Sequence, residues 1–245
     1  MADFTISLAG IPVGITLGHP ESRWFFEEYI SGETPAFCVA ATEQDLNYER
    51  EYVDDINRGD AGEAIVFSDQ TLEVNAILRR IASRLPEYDT VLFHGSAVAS
   101  GGRAYVFAAR SGVGKTTHTR LWLEQNPEAY VLNGDKPFLK LLPGGGVLAC
   151  GGPWKGKEKL GRNESLPLEA ICLLERSATN HITVLEPKEA VDSLIRQTNM
   201  PKDPVGKIRT LQLLDRISSE VRLYRLGCNM NPEAARVSMS AMIKP

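Results

Sequence analysis

Short apolar runs broken by Gly, Pro and Asp mark the start of this chain. Residues 5–8, 12–17, 37–41 and 64–67 are each apolar or alternating, and their length and spacing predict strands. Between them, 43–58 is dense in charge and predicts an exposed excursion. The period then changes. Val74, Ile77, Leu78, Ile81 and Leu85 share one helical face, and Pro86 predicts its end. The run at 90–99 predicts a strand, joined through Ser100-Gly101-Gly102 to another at 104–108. Two strands linked by so tight a turn predict an antiparallel pair.

A helix is predicted from 117 and a strand at 130–132. Around Gly144-Gly145-Gly146, the runs 138–142 and 147–150 predict a hairpin. The last third alternates between strands at 170–174, 182–184 and 221–226 and helices. One helix, 188–198, turns Ala190, Val191, Leu194 and Ile195 inward. A second, 205–217, turns Ile208, Leu211, Leu214 and Ile217 inward. The last covers 232–242, with Pro232 at a tolerated first-turn position. There is no repeat, low-complexity tract or flexible linker. The pattern predicts an α/β fold with a mixed, partly antiparallel sheet and a β-rich N-terminal layer. Residues 1–86 read as a β-rich subdomain and 87–245 as a second domain, one continuous domain being the alternative.

Composition changes this picture little. Of 245 residues, 43% are hydrophobic and 24% charged, as in ordinary globular proteins. A net charge of -4 argues against a nucleic-acid partner. No apolar run approaches the roughly 20 residues of a membrane span, and the N-terminus lacks the pattern of a signal peptide. Cys38, Cys150, Cys172 and Cys228 form no closely spaced pair. They read as reduced, mostly buried thiols of a cytoplasmic protein. His19, His94, His118 and His181 show no zinc-site spacing with them.

The candidate chemistry lies between the strand at 104–108 and the helix that follows it. Arg110-Ser111-Gly112-Val113-Gly114-Lys115-Thr116-Thr117 has the form of a Walker A phosphate-binding loop in its strand–loop–helix context. Backbone N–H groups of such a loop cradle phosphate oxygens, and the helix N-terminus adds partial positive charge. Lys115 would reach the β- and γ-phosphates of ATP, and Thr116 would help to hold Mg²⁺. Ala109 stands where the consensus has its first glycine. An ordinary tight turn is the plainer reading of the same residues.

Two strand ends flank this loop. His94-Gly95 precedes it and Asp135 follows, and strand ends on one edge of an α/β sheet converge on a ligand crevice. Asp135 then reads as proton acceptor or Mg²⁺ ligand, and His94 as a positioning group. The plainer readings are a turn at Asn133-Gly134-Asp135 and a structural strand-end histidine. A second feature, residues 151–163, places Trp154 among Lys155, Lys157, Lys159 and Arg162 in a glycine-rich loop. It reads either as a loop closing over phosphate or an anionic acceptor, with Trp154, Lys155 and Lys157 as substrate contacts, or as a solvated hairpin.

Taken together, His94-Gly95, the run 111–116 and Asp135 resemble the HPr serine kinase family and its relative, ATP-dependent phosphoenolpyruvate carboxykinase. The resemblance covers 94–135, and 149–235 more loosely. It implies a mixed-sheet P-loop kinase fold and an ATP- and Mg²⁺-dependent phosphotransferase with an alcohol acceptor, either a small metabolite or a peptidyl serine. The chain departs from HPr kinases at Gly134, where they carry a second acidic residue. It departs at Thr117, where they carry Glu, and near 149–151, where a metal-ligating Glu is missing. A nucleotide-binding regulatory module without transfer chemistry is the competing expectation. Carboxykinase-like decarboxylation is a third, for which the chain shows no arginine set.

Overall fold

The computed structural model describes residues 2–59, 66–110 and 112–243. The chain divides into two compact units, Met1–Arg84 and Leu85–Pro245.

In the first unit, β1 (Phe4–Leu8) and β2 (Ile11–Thr16) form a hairpin. Ala9 and Gly10 turn it at φ 52° and 71°, the left-handed pair whose twist matches that of the flanking strands. β3 (Ile30–Ser31) flanks β1, and β4 (Phe37–Ala40) runs parallel to β2. The charged stretch expected to be an exposed excursion is instead a helix, α1 (Glu43–Gly59), followed by α2 (Asp69–Arg84). Thr42 and Asp45 cap α1 reciprocally, each backbone N–H meeting the other's side chain. Its carboxylates are part of its packing face: Glu49 is buried and accepts from Arg79 Nε at 2.6 Å, and Asp45 accepts from Arg80 Nε at 2.6 Å. Of the strand expected at 64–67, residues 64 and 65 lie outside the described residues. Val66 and Phe67 are irregular and exposed.

The second unit carries β5 (Thr90–Leu92), β6 (Ser96–Ser100), β7 (Arg103–Ala108), α3 (Lys115–Gln125), β8 (Tyr130–Asn133), β9 (Phe138–Leu141), β10 (Val147–Cys150), β11 (Ser165–Arg176), β12 (His181–Val184), α4 (Pro187–Gln197), α5 (Pro204–Glu220), β13 (Arg222–Cys228) and α6 (Glu233–Met242). Its nine-stranded sheet has the order β5-β9-β10-β11-β7-β6-β8, with β13 beside β11 and β12 beside β13. β7, β11 and β13 are parallel and the other pairings antiparallel, so the fold is α/β with a mixed sheet. β7 shows why the centre of this sheet is stable. Ala104, Val106 and Ala108 face a core shared with Leu194 of α4 and Leu213, Leu214 and Ile217 of α5. Tyr105 and Phe107 face a second core with Leu121 and Trp122 of α3 and Met242 of α6. Strands buried on both faces read as unbroken apolar runs.

Two sequence expectations change here. Residues 90–99 are not one strand: β5 pairs with β9, β6 pairs with β7 and β8, and the chain crosses between them at His94-Gly95. A Cβ on Gly95 would lie 3.0 Å from the Phe107 carbonyl oxygen, so a side chain here would press on that backbone. On α5, Ile208 and Leu211 are exposed, and the inward stripe is Thr210, Leu213, Leu214 and Ile217. Thr210 is tolerated inside because its hydroxyl donates to the Gly206 carbonyl at 2.8 Å. Cys150 and Cys172 are buried, Cys228 is half-buried and Cys38 is exposed, all four as free thiols. Among the described residues, no helix is long and apolar enough to cross a membrane.

Candidate functional site

The site begins where β7 ends. Ala109 is buried, Arg110 is exposed, and Ser111 lies outside the described residues. Gly112 and Gly114 take φ values of 76° and 125°, conformations that favour glycine. The chain then enters α3, whose first hydrogen bond runs from His118 N–H to the Gly114 carbonyl at 2.9 Å. Among the described residues, nothing accepts from the N–H groups of Gly112, Gly114, Lys115, Thr116 and Thr117. Val113 N–H turns back to the Arg110 carbonyl at 3.3 Å. Open amides at the start of an eleven-residue helix make a place for an anion.

Lys115 is half-buried beside these amides, and its Nζ donates to the Ala109 carbonyl at 3.1 Å. Burial lowers its pKa, while the nearby Asp135 charge opposes that shift. Among the described residues its hydrogen-bond partner is therefore neutral, and an anionic group fits beside it. Thr116 is exposed at the helix start and Thr117 is half-buried.

Asp135 reaches the same place from β8. Asn133, fully buried, accepts from the N–H groups of Asp135 at 3.0 Å and Lys136 at 2.7 Å. Its amide donates to the Gly152 carbonyl at 3.1 Å. This side chain shapes the turn that aims Asp135. Asp135's own carbonyl accepts from Gly95 N–H at 2.9 Å, tying the turn to the crossing between β5 and β6. His94 Nε2 lies 3.4 Å from Asp135 Oδ1. Burial alone would raise the Asp135 pKa. The His94 hydrogen bond, together with the charges of Lys136, His94 and Lys115, outweighs it and holds the carboxyl below its ordinary value. His94, Lys115 and Asp135 thus form one electrostatically linked group.

The loop at 151–163 packs on the Asp135 turn. Its first residues are buried, Trp154 being 5% exposed, so this indole packs the loop base. Lys155 is half-buried and Lys157 exposed. A Cβ on Gly156, at φ 75°, would lie 2.9 Å from Asp135 Cβ, and one on Gly134 would lie 2.9 Å from the Lys155 carbonyl oxygen. Glu158 pairs with Arg120 of α3, linking the loop tip to that helix.

Three contributors escaped the sequence reading. Asn133 carried a usable signal, since an asparagine two residues before a turn aspartate commonly accepts the next amides. Gly156 could have been singled out as a turn glycine, but not as the neighbour of Asp135. Arg176 at the end of β11 carried none. Its Nη2 donates to the Gly112 carbonyl at 2.6 Å across 64 positions of chain.

The residues fit a triphosphate through the open amides and the Lys115 ammonium. Among the described residues, no cluster of three or more His, Cys, Asp or Glu side chains could hold a metal ion. Thr116 and Asp135 would hold Mg²⁺ only in company with phosphate oxygens and water. No family model matches the chain, and no curated protein matches it. Among solved structures, it is similar at a distance to the HPr(Ser) kinase/phosphatase from Coxiella burnetii, with a TM-score of 0.36 and 6% identity over 61% of this chain and 95% of that one.

Proposed function

We propose that the protein is an ATP- and Mg²⁺-dependent kinase with a P-loop at 110–117, acting on a hydroxyl of a small metabolite or a peptidyl serine. The observation that carries this reading is the meeting of three things at one sheet edge: open helix-start amides, a half-buried Lys115 with a neutral partner, and the His94–Asp135 pair.

The amides and Lys115 bind and orient the phosphates. Thr116 and Asp135 would hold Mg²⁺ together with phosphate oxygens, and it would supply positive charge beside the transferring group. Asp135 accepts the proton of the acceptor hydroxyl, and His94 holds the receiving carboxylate in place. The chain's contribution is positioning and charge stabilisation, the main terms in phosphoryl transfer. A carboxylate held ionised by His94 and two lysines is available as acceptor throughout the neutral range.

The competing reading, a nucleotide-binding module without transfer chemistry, draws support from Gly134. Its would-be Cβ faces the Lys155 carbonyl, so no second acidic side chain can stand beside Asp135. One experiment separates the two. Calorimetry measures binding of the non-hydrolysable analogue AMP-PNP with Mg²⁺, and labelled ATP reports consumption with hydroxylated acceptors. The kinase reading expects Lys115→Met to abolish binding. It expects Asp135→Asn to bind normally and lose roughly 100-fold or more in turnover. Binding without turnover in the wild type favours the regulatory module. Absence of binding rejects both.

A further inference from the structure

We infer that the nucleoside half of the bound nucleotide lies over the tips of β11 and β13, with Met230 against the face of an adenine and Asn231 at its edge. This rests on the kinase reading and extends it to the part of the nucleotide that the phosphate loop does not hold.

Strand order sets the direction in which the nucleotide runs. β6 is antiparallel to β7 and starts where β7 ends, Ser96 standing opposite Phe107. β8 is antiparallel to β6, so its end at Asn133 stands opposite Ala97. β11 and β13 are parallel to β7 and finish at the same edge. Along that edge the order is Asp135, His94, the loop at 110–117, Arg176, then Asn229 to Asn231. Ligands of α/β sheets bind along such a row of strand ends. In the kinase reading the γ-phosphate faces Asp135. The α-phosphate and nucleoside then leave the loop on its other side, towards β11 and β13.

These two strands are built to receive them. Leu173 pairs with Ala108 at the end of β7, and β11 runs on for three more residues to Arg176, about 10 Å. β13 keeps pace, with Cys228 paired to Arg176. The two tips form a wall beside the loop, and the Arg176 guanidinium reaches from it to the Gly112 carbonyl. Beyond the tips, the connecting segments are tied together. Ser177 N–H donates to the Cys228 carbonyl at 2.9 Å, Asn229 N–H to Asn180 Oδ1 at 3.0 Å, and Asn229 Nδ2 to the Ala178 carbonyl at 3.0 Å. Asn180 Nδ2 donates in turn to Glu233 at the start of α6, at 2.8 Å. A platform fixed before binding loses little entropy on binding.

Met230 stands on this platform 79% exposed, and Asn231 beside it is exposed. A polarizable thioether suits the flat face of a base. The asparagine amide offers a donor and an acceptor, the pair that matches the amino group and ring nitrogen of adenine. Charge favours a neutral ring here over further phosphate. Besides Arg176, the cation nearby in sequence is Arg225, which is paired with Glu175 at 3.1 Å, and Glu233 adds a carboxylate.

The test is calorimetric titration with two probes, AMP-PNP and inorganic tripolyphosphate, each with Mg²⁺. The wild type should bind AMP-PNP more tightly than tripolyphosphate. The double variant Met230→Ser with Asn231→Ala alters two exposed, uncharged side chains. It should weaken AMP-PNP about tenfold or more and leave tripolyphosphate binding as it is in the wild type. Arg176→Ala, acting through Gly112, should weaken both probes alike. Unchanged AMP-PNP affinity in the double variant overturns the inference. So does equal weakening of both probes by that variant, or wild-type binding of tripolyphosphate as tight as that of AMP-PNP. If the wild type binds neither probe, the kinase reading falls, and the nucleoside site with it.

Discussion

His118 allows a quantitative test of how α3 is held. It stands one turn into the helix that starts at Lys115, 2% exposed, with its ring against Phe107 at 4.7 Å between centroids. Its Nε2 lies 3.1 Å from Ser238 Oγ on α6. That hydroxyl donates to the Ala235 carbonyl and already accepts from Trp122 Nε1 at 2.7 Å, so it accepts from His118 Nε2–H as well. Nδ1 is then a bare acceptor, with no hydrogen-bond partner among the described residues. Burial lowers the pKa from 6.5 to about 4. The folded state therefore binds this proton less readily than the unfolded chain. Above the ordinary value the group contributes no pH dependence. Stability falls as pH drops from 6.5 towards 4, and this group adds nothing further below that. The full difference is worth about 3 kcal/mol, of which about 2 kcal/mol is lost by about pH 5. His118→Gln keeps a donor for Ser238 and does not titrate. Urea unfolding of both proteins near pH 7.5 and pH 5, by linear extrapolation, should show the wild type losing about 2 kcal/mol more than the variant. Equal losses in the two would refute the neutral buried imidazole.

Three further outcomes follow from the site. Gly156→Ala places a Cβ against Asp135 at a positive φ; stability should fall by about 1–2 kcal/mol in urea unfolding, and turnover should fall with it. Arg176→Ala removes the donor to the Gly112 carbonyl from an exposed side chain, so AMP-PNP affinity should weaken several-fold with the unfolding midpoint almost unchanged. Because the Asp135 pKa is lowered, turnover should show no acid limb from this group above its ordinary 3.8, whereas His94→Ala, which removes the hydrogen bond, should move that limb upward in a pH–kcat profile.

The legible parts of this protein are those fixed by neighbours in the chain. The strands at 5–8 and 12–17, the apolar run of β7 and the glycine turns before Lys115 follow from steric and solvation preferences that act over a few residues. The exception in the first unit is α1, whose carboxylates suggested solvent. Arg79 and Arg80, 30 and 35 positions away from Glu49 and Asp45, supply the partners that turn those charges inward. On α5, apolar residues were available for two neighbouring stripes, and the tertiary packing chose the one that includes Thr210.

The sequence by itself determined an α/β chain, a glycine-bounded loop ahead of a helix, and which polar residues stand at strand ends. Tertiary structure decided that residues 90–99 break at His94-Gly95, that His94 Nε2 meets Asp135, that Arg176 braces Gly112, and that Gly156 abuts the carboxylate. The reason is separation along the chain. Periodicity and turn chemistry report on atoms a few residues apart, whereas these contacts join segments tens of residues distant and form only when the sheet brings its edges together.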